Sequence, residues 1–241
     1  MGKLFILSRI AKLRMPLEDN KTTEKGETAY ELAIGTTALL GNVPSPDLAD
    51  GYGRLFLRYS QMGELLFDVI RHKIERVPTH IQGAQFQPAA HALHSASSDW
   101  GIAGELAHSL EGYPPSEFYR IRPALQGGGG NQSPSFRKVL RTSREAWKAY
   151  QAQVESHKLT LVAMHHDPSV REEHGDLYAL TQAMLTFDSS YQHFERGHLI
   201  LIRRIIGQRG LTPLGNDLAD LERRLTSPLF PELWGAISPP E

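Results

Sequence analysis

The stretch Leu180–Ile206, LTQAMLTFDSSYQHFERGHLILIRRII, decides the fold. Its large side chains recur as Leu180, Met184, Phe187, Tyr191, Phe194, His198, Leu201 and Ile205, at intervals alternating between four and three. That spacing places them all on one seam of a long helix. Gln182, Ser189, Arg196 and Arg203 fall on the opposite side, as a solvated face requires. One imidazole, His198, therefore interrupts an apolar stripe. A polar ring there is either satisfied by hydrogen bonds or coordinates something, and spacing alone leaves both readings open.

Working outward, the helical period governs the rest of the chain, and no stretch alternates as a strand does. The spacing predicts a helix over Tyr30–Leu40, closed by Gly41, and a longer one over Arg54–Arg76, closed by Pro78 and the prolines and glycines of 83–88. Further helices are expected over 89–112, from Ser133 or Pro134 to His157, over 176–206 and over Asp217–Leu225. A short segment opens at Ser116 as its N-cap. His165-His166-Asp167-Pro168 reads as a break. The fold class is all-α, a bundle of long helices with a functional loop between Leu125 and Ser133. Residues 1–27 read as an exposed segment, and 28–241 as one helical domain.

Composition narrows the function. The chain has 241 residues, 40% apolar and 22% charged, ordinary values for a globular protein. A net charge of −1 offers no footprint for nucleic acid or for an anionic membrane. The absence of cysteine excludes disulfides, thiolate haem ligation, iron–sulfur clusters and a cysteine nucleophile. Arg9, Lys12 and Arg14 break the N-terminal apolar run short of a signal-peptide core, and no segment is long enough to span a bilayer. A cytoplasmic protein is expected.

Two constellations carry chemistry. Ser60 and Gly63 are small residues in a row with Phe56, Phe67 and Ile70. They leave a hollow for either a neighbouring helix or a flat ligand. The second is Ser116-Glu-Phe118-Tyr-Arg-Ile-Arg122-Pro-Ala-Leu125-Gln-Gly-Gly-Gly-Gly130-Asn-Gln132-Ser133. Its four glycines serve as a linker or as a close-approach loop. A phosphate loop is disfavoured, because neither a preceding strand nor a Gly-Lys-Ser/Thr ending is present. His91 and His94, and His165-His166-Asp167, lack a third convergent ligand for a metal. His193 stands on a different helical face from His198.

The run Arg196-Gly197-His198-Leu-Ile-Leu-Ile-Arg-Arg-Ile-Ile-Gly207, with Asp188 upstream and Leu229-Phe-Pro-Glu-Leu-Trp234 downstream, resembles the C-terminal part of the tryptophan 2,3-dioxygenases. In that family the proximal haem histidine stands nine residues before a helix-ending glycine, as His198 stands before Gly207. The string Phe56-Leu-Arg-Tyr-Ser60-Gln61-Met-Gly-Glu64-Leu65 resembles the segment that roofs the haem. Arg122 and Gln132-Ser133 keep the family's ten-residue interval between its arginine and Gln-Ser.

The resemblance implies an all-α fold enclosing haem b, with 28–241 as a haem-binding oxygenase domain. His198 would ligate the iron, and Gly129 and Gly130 would let the backbone approach the haem. Phe56 would sit against an indole, and Ser60 would occupy the place of the distal histidine, as in indoleamine 2,3-dioxygenases. Arg122 would form a bidentate pair with the substrate carboxylate, a task suited to its planar fork. Phe118 falls where the family usually has tyrosine, and Leu125 would line the pocket. Tyr30 belongs to a segment that, in bacterial members, reaches into a neighbouring subunit, which implies a homo-oligomer, dimer or tetramer. The family's glycine-rich lid corresponds to Gln208–Gly215, where Thr212 is the candidate contact and Pro213 removes an N–H.

The expected activity is O2-dependent oxygenation of the ring of tryptophan or a related aromatic amino acid. It would cleave the indole C2–C3 bond or insert one oxygen atom to give an oxindole-type product. Tyrosine hydroxylation within the same superfamily is an alternative. A haem sensor or carrier is another, needing His198 but not Arg122.

Overall fold

A computed structural model describes residues 26–207 and 218–238. Two compact units divide at Pro44–Ser45. In the first, α1 (Ala29–Ile34) and α2 (Thr36–Gly41) replace the single helix expected over Tyr30–Leu40. The reason is Gly35, whose left-handed backbone (φ 65°) terminates one helix and begins the next. Thr28 and Glu31 cap α1 reciprocally: Thr28 N–H donates to the Glu31 carboxylate at 2.7 Å and Glu31 N–H to Thr28 Oγ1 at 3.2 Å.

In the second unit a 3-10 turn (Pro46–Leu48) leads into α3 (Gly51–Ile74). Pro78 does not merely end this helix. It stands in the first turn of a short helix, α4 (Val77–Gln82), where its missing N–H leaves no bond unmade. Then come α5 (Phe86–Ser109) and α6 (Pro115–Ile121), which opens on Pro114-Pro115 rather than on Ser116. The loop from Arg122 to Gln132 holds two 3-10 turns, Arg122–Leu125 and Gly130–Gln132.

Helix α7 (Pro134–Ser156) starts where Ser133 Oγ accepts the Phe136 N–H at 3.0 Å. The expected break at His165–Pro168 separates α8 (Leu161–His166) from α9 (Pro168–Glu173), and Asp167 caps the second by accepting the Ser169 N–H at 2.9 Å. The longest helix, α10 (Gly175–Ile206), ends at Gly207, whose φ of 75° suits glycine. Two short helices follow, α11 (Leu218–Leu225) and α12 (Pro231–Gly235). No strand occurs among the described residues.

The core lies where α5 and α10 pack along their length, with α3 and α7 closing over them. Trp100 is its centre, fully buried, with its ring 5.2 Å from Phe194, 5.4 Å from Tyr191, 5.9 Å from Phe67 and 6.2 Å from both Phe136 and Phe187. Four helices thus meet on one indole. Truncating such a residue to alanine costs about 3–5 kcal/mol.

The chain's last described segment is held by one carboxylate. Asp188, fully buried on α10, accepts the backbone N–H of Leu229 and of Phe230 and the Trp234 indole N–H, each at 2.9 Å. Phe230 then packs tilted against Trp147 of α7, centroids 5.7 Å apart. No helix among the described residues is long and apolar enough to cross a membrane.

Candidate functional site

Seven of the eight seam residues of α10, all but His198, are buried, as the spacing requires. His198, for which the spacing leaves a satisfied core imidazole and a ligand both open, has a side chain that is 33% exposed. The opening faces the glycine loop. A Cβ at Gly130 would stand 3.7 Å from His198 Cε1, so the bare backbone passes close to the ring edge. Phe194 stacks on the imidazole one turn earlier, centroids 5.8 Å apart and planes 21° from parallel. The remaining ring nitrogen facing the protein, Nδ1, stands 3.8 Å from Glu195 Oε2, beyond hydrogen-bond length. That oxygen is buried and has no hydrogen-bond partner.

Two contacts bring α3 to this place. Phe67 meets Phe194 at 5.6 Å, and the Glu64 carboxylate receives the Ser133 hydroxyl and, at 3.1 Å, the Ser135 N–H. Glu64 therefore fixes the end of the glycine loop to α3. Inside the loop, Gly128 N–H donates to Leu125 carbonyl at 2.7 Å and Gly129 N–H to Gln132 Oε1 at 3.2 Å. Gln126 and Gly127 are both left-handed, with φ of 50° and 75°, which folds the loop back on itself.

Phe56, Ser60 and Phe118 meet at the N-terminal half of α3. Phe56 packs against Phe118 of α6 at 5.8 Å and against Tyr113 at 5.9 Å. Burial pushes the Tyr113 hydroxyl up to about 12, and this group donates to the Tyr52 carbonyl at 3.0 Å. Arg122 is half-buried, its guanidinium carbon 5.9 Å from the Tyr119 ring centroid. Tyr119 in turn donates to the Ile206 carbonyl at 3.3 Å, tying α6 to the end of the histidine helix. Ser60 is exposed, and its hydroxyl donates to the Phe56 carbonyl one turn back, at 2.9 Å.

Tyr30 lies in the 26–44 unit and is 70% exposed, and Thr212 lies outside the described residues. His91, His94 and His193 are exposed, and His166 Nε2 contacts the Ala236 carbonyl at 3.2 Å. Among the described residues no group of three metal-ligating side chains occurs.

Two residues escaped the sequence reading. Glu195 precedes His198 by three positions, the interval that puts a carboxylate beside an imidazole on one helix face. Glu64 carried no signal, because its partners lie 69 and 71 residues away.

The site fits a haem held by one histidine. Among the described residues the donor offered here is an imidazole, half open and aligned by an aromatic ring. Its inner nitrogen points at a carboxylate oxygen without a partner, the arrangement that orients a metal-bound histidine. A Cβ at Gly130 would stand in ordinary van der Waals contact with the ring edge, so the loop backbone passes close beside the imidazole.

No known family profile matches the chain. It is similar to the tryptophan 2,3-dioxygenase of Pseudomonas fluorescens, 26% identical over 230 aligned positions that cover 75% of this chain and 80% of that protein. The tryptophan 2,3-dioxygenase of Caulobacter vibrioides is 24% identical over 227 positions, covering 75% and 86%. That of Pseudomonas aeruginosa is 23% identical over 236 positions, covering 75% and 79%.

Proposed function

We propose that this chain, a distant tryptophan 2,3-dioxygenase-like protein, is a haem-dependent oxygenase acting on the ring of tryptophan or a closely related amino acid. The observation that carries the reading is His198: the one open position on a sealed apolar seam, roofed by bare glycine backbone. When bound, haem b supplies dioxygen activation and oxygen transfer, chemistry that protein side chains lack. The protein's own residues bind, orient and shield.

His198 offers the iron one ring nitrogen, with Phe194 limiting rotation of the imidazole. Phe56 and Phe118 supply an apolar wall for the substrate's ring. The Arg122 guanidinium pairs with the α-carboxylate, and its position beside Tyr119 limits where that carboxylate can lie. Fixing carboxylate and ring together sets which ring atom faces the oxidant, the main service a protein renders to a reactive cofactor. The Glu64–Ser133 bond holds the glycine loop against the imidazole edge and helps exclude water.

Ser60 favours a second outcome for the same site. Its hydroxyl is occupied by the Phe56 carbonyl and is far too weak a base to remove the indole proton. A pocket without a distal base suits insertion of a single oxygen atom as well as ring cleavage. The exposed Tyr30, Leu32, Ile34, Leu39 and Leu40 of the 26–44 unit suit cover by a second copy, so a homo-oligomer belongs to the proposal.

The test is the mass of the product formed from L-tryptophan under 18O-labelled dioxygen by the haem-loaded protein. Two labelled atoms mean ring cleavage and one means single insertion. Haem-loaded protein that leaves tryptophan and its aromatic analogues unchanged, with reductant supplied, overturns the proposal.

A further inference from the structure

The carboxylate beside His198 is buried without a full set of partners. Glu195 is 1% exposed, and one of its oxygens, Oε2, makes no hydrogen bond. A buried acceptor left unpaired is costly, and more so when it is charged. Burial, then the charge and hydrogen bond of Glu195, push the Tyr191 hydroxyl well above the ordinary phenol range, so that hydroxyl serves the carboxylate as a donor. Facing the free oxygen is His198 Nδ1, 3.8 Å away. Phe194, sealed in the core, stacks on the imidazole and limits its swing.

We infer that Glu195 is a positioning residue for the proximal histidine: it accepts the Nδ1–H of His198, fixes the tautomer that presents Nε2, and makes the ligand more electron-rich. This inference rests on the haem reading above. Carboxylates in this position orient metal-bound histidines and raise their basicity. An electron-rich axial ligand favours ferric over ferrous iron and lowers the reduction potential. The device also explains why an acidic side chain is tolerated beside an aromatic core: it is completed when the ring is held at Nε2.

The experiment compares haem-loaded wild type with Glu195→Gln and Tyr191→Phe, reading the ferric/ferrous potential and the iron–histidine stretching frequency. Glutamine keeps the shape and can still accept from Tyr191, but its amide presents N–H to N–H at His198. The expected result for Glu195→Gln is a higher potential, a lower stretching frequency and roughly 10- to 100-fold faster haem loss. Tyr191→Phe removes a competing donor from the same carboxylate, so the potential falls or stays. A potential and stretch unchanged in Glu195→Gln, or moved alike by both variants, overturns the inference while leaving histidine ligation intact.

A second measurement avoids any change at Glu195. His198→Gly is supplied with imidazole or with 1-methylimidazole, which has no N–H to donate. Imidazole is expected to bind the haem at least about tenfold more tightly, since the bond it alone can make is to a charged acceptor. Equal affinities overturn the inference. A wild type that takes up no haem overturns both the inference and the haem reading.

Discussion

Replacing Asp188 tests how the C-terminal segment is held, and the structure supplies the magnitude. The carboxylate takes three donors at 2.9 Å: Leu229 N–H on Oδ1, and Phe230 N–H and Trp234 Nε1–H on Oδ2. A fourth, from Gln192 at 3.3 Å, is weaker. Each bond to a charged group contributes about 1.5–3 kcal/mol. Bonds to one carboxylate are not additive, and water can reach the half-buried Leu229 and Trp234 once the segment loosens. The expected cost of Asp188→Ala is therefore about 3–5 kcal/mol.

In a chain of this size that lowers the melting midpoint by roughly 6–20 °C. Asp188→Asn should cost less, about 1–3 kcal/mol. Its amide oxygen, placed at Oδ2, still serves Phe230 and Trp234, while Leu229 loses its acceptor. Thermal unfolding followed by circular dichroism measures both, and tryptophan fluorescence reports release of Trp234. An alanine variant within 2 °C of wild type, or an asparagine variant as damaged as alanine, refutes the account of this segment.

The substrate site gives further tests. Arg122→Leu should weaken amino acid binding about ten- to a hundredfold, as loss of a charge-assisted pair demands, read by titration of the haem-loaded protein. Tryptamine, which lacks the carboxylate, should bind wild type as poorly; equal affinity for tryptophan and tryptamine denies Arg122 this role. Ser60→Ala should retain turnover within about tenfold of wild type, because only one neutral hydrogen bond is removed. A loss of several orders of magnitude with ligands still bound would show that Ser60 enters the chemistry directly.

Stability should fall in alkali. Burial pushes the Tyr150 hydroxyl up to about 12, only partly opposed by its bond to Thr181. Between the unfolded value near 10 and 12 only the unfolded chain releases the proton, so stability is full below about pH 10. It then declines by up to about 1.4 kcal/mol per pH unit. Tyr150→Phe should flatten that part of the curve in urea unfolding at several pH values.

The long helices were legible because burial imposes a period, and α10 keeps seven of its eight predicted seam positions buried. The eighth, His198, is half open for a reason that periodicity does not carry: the opening depends on a loop that returns from 68 residues earlier, at Gly130. Boundaries moved where backbone conformation outweighed side-chain pattern, as at Gly35, where a left-handed residue splits one expected helix into two. Helix α12 was not foreseen, since five residues between Phe230 and Ala236 hold no periodic signal and depend on Asp188.

The same division holds in the site. Phe56 and Phe118 could be named from local strings, and they meet at 5.8 Å. The Glu64–Ser133 tie and the unpartnered Glu195 oxygen depend on side chains brought together by packing, which no local string encodes.

The central claim is that His198 holds a haem iron. The direct measurement is the electronic and resonance Raman spectrum of the ferrous, haem-loaded protein beside that of His198→Ala. The wild type is expected to show a five-coordinate, histidine-ligated ferrous haem, with both the signature and most of the haem lost in the variant. Full haem content and an unchanged ferrous spectrum in His198→Ala would contradict it.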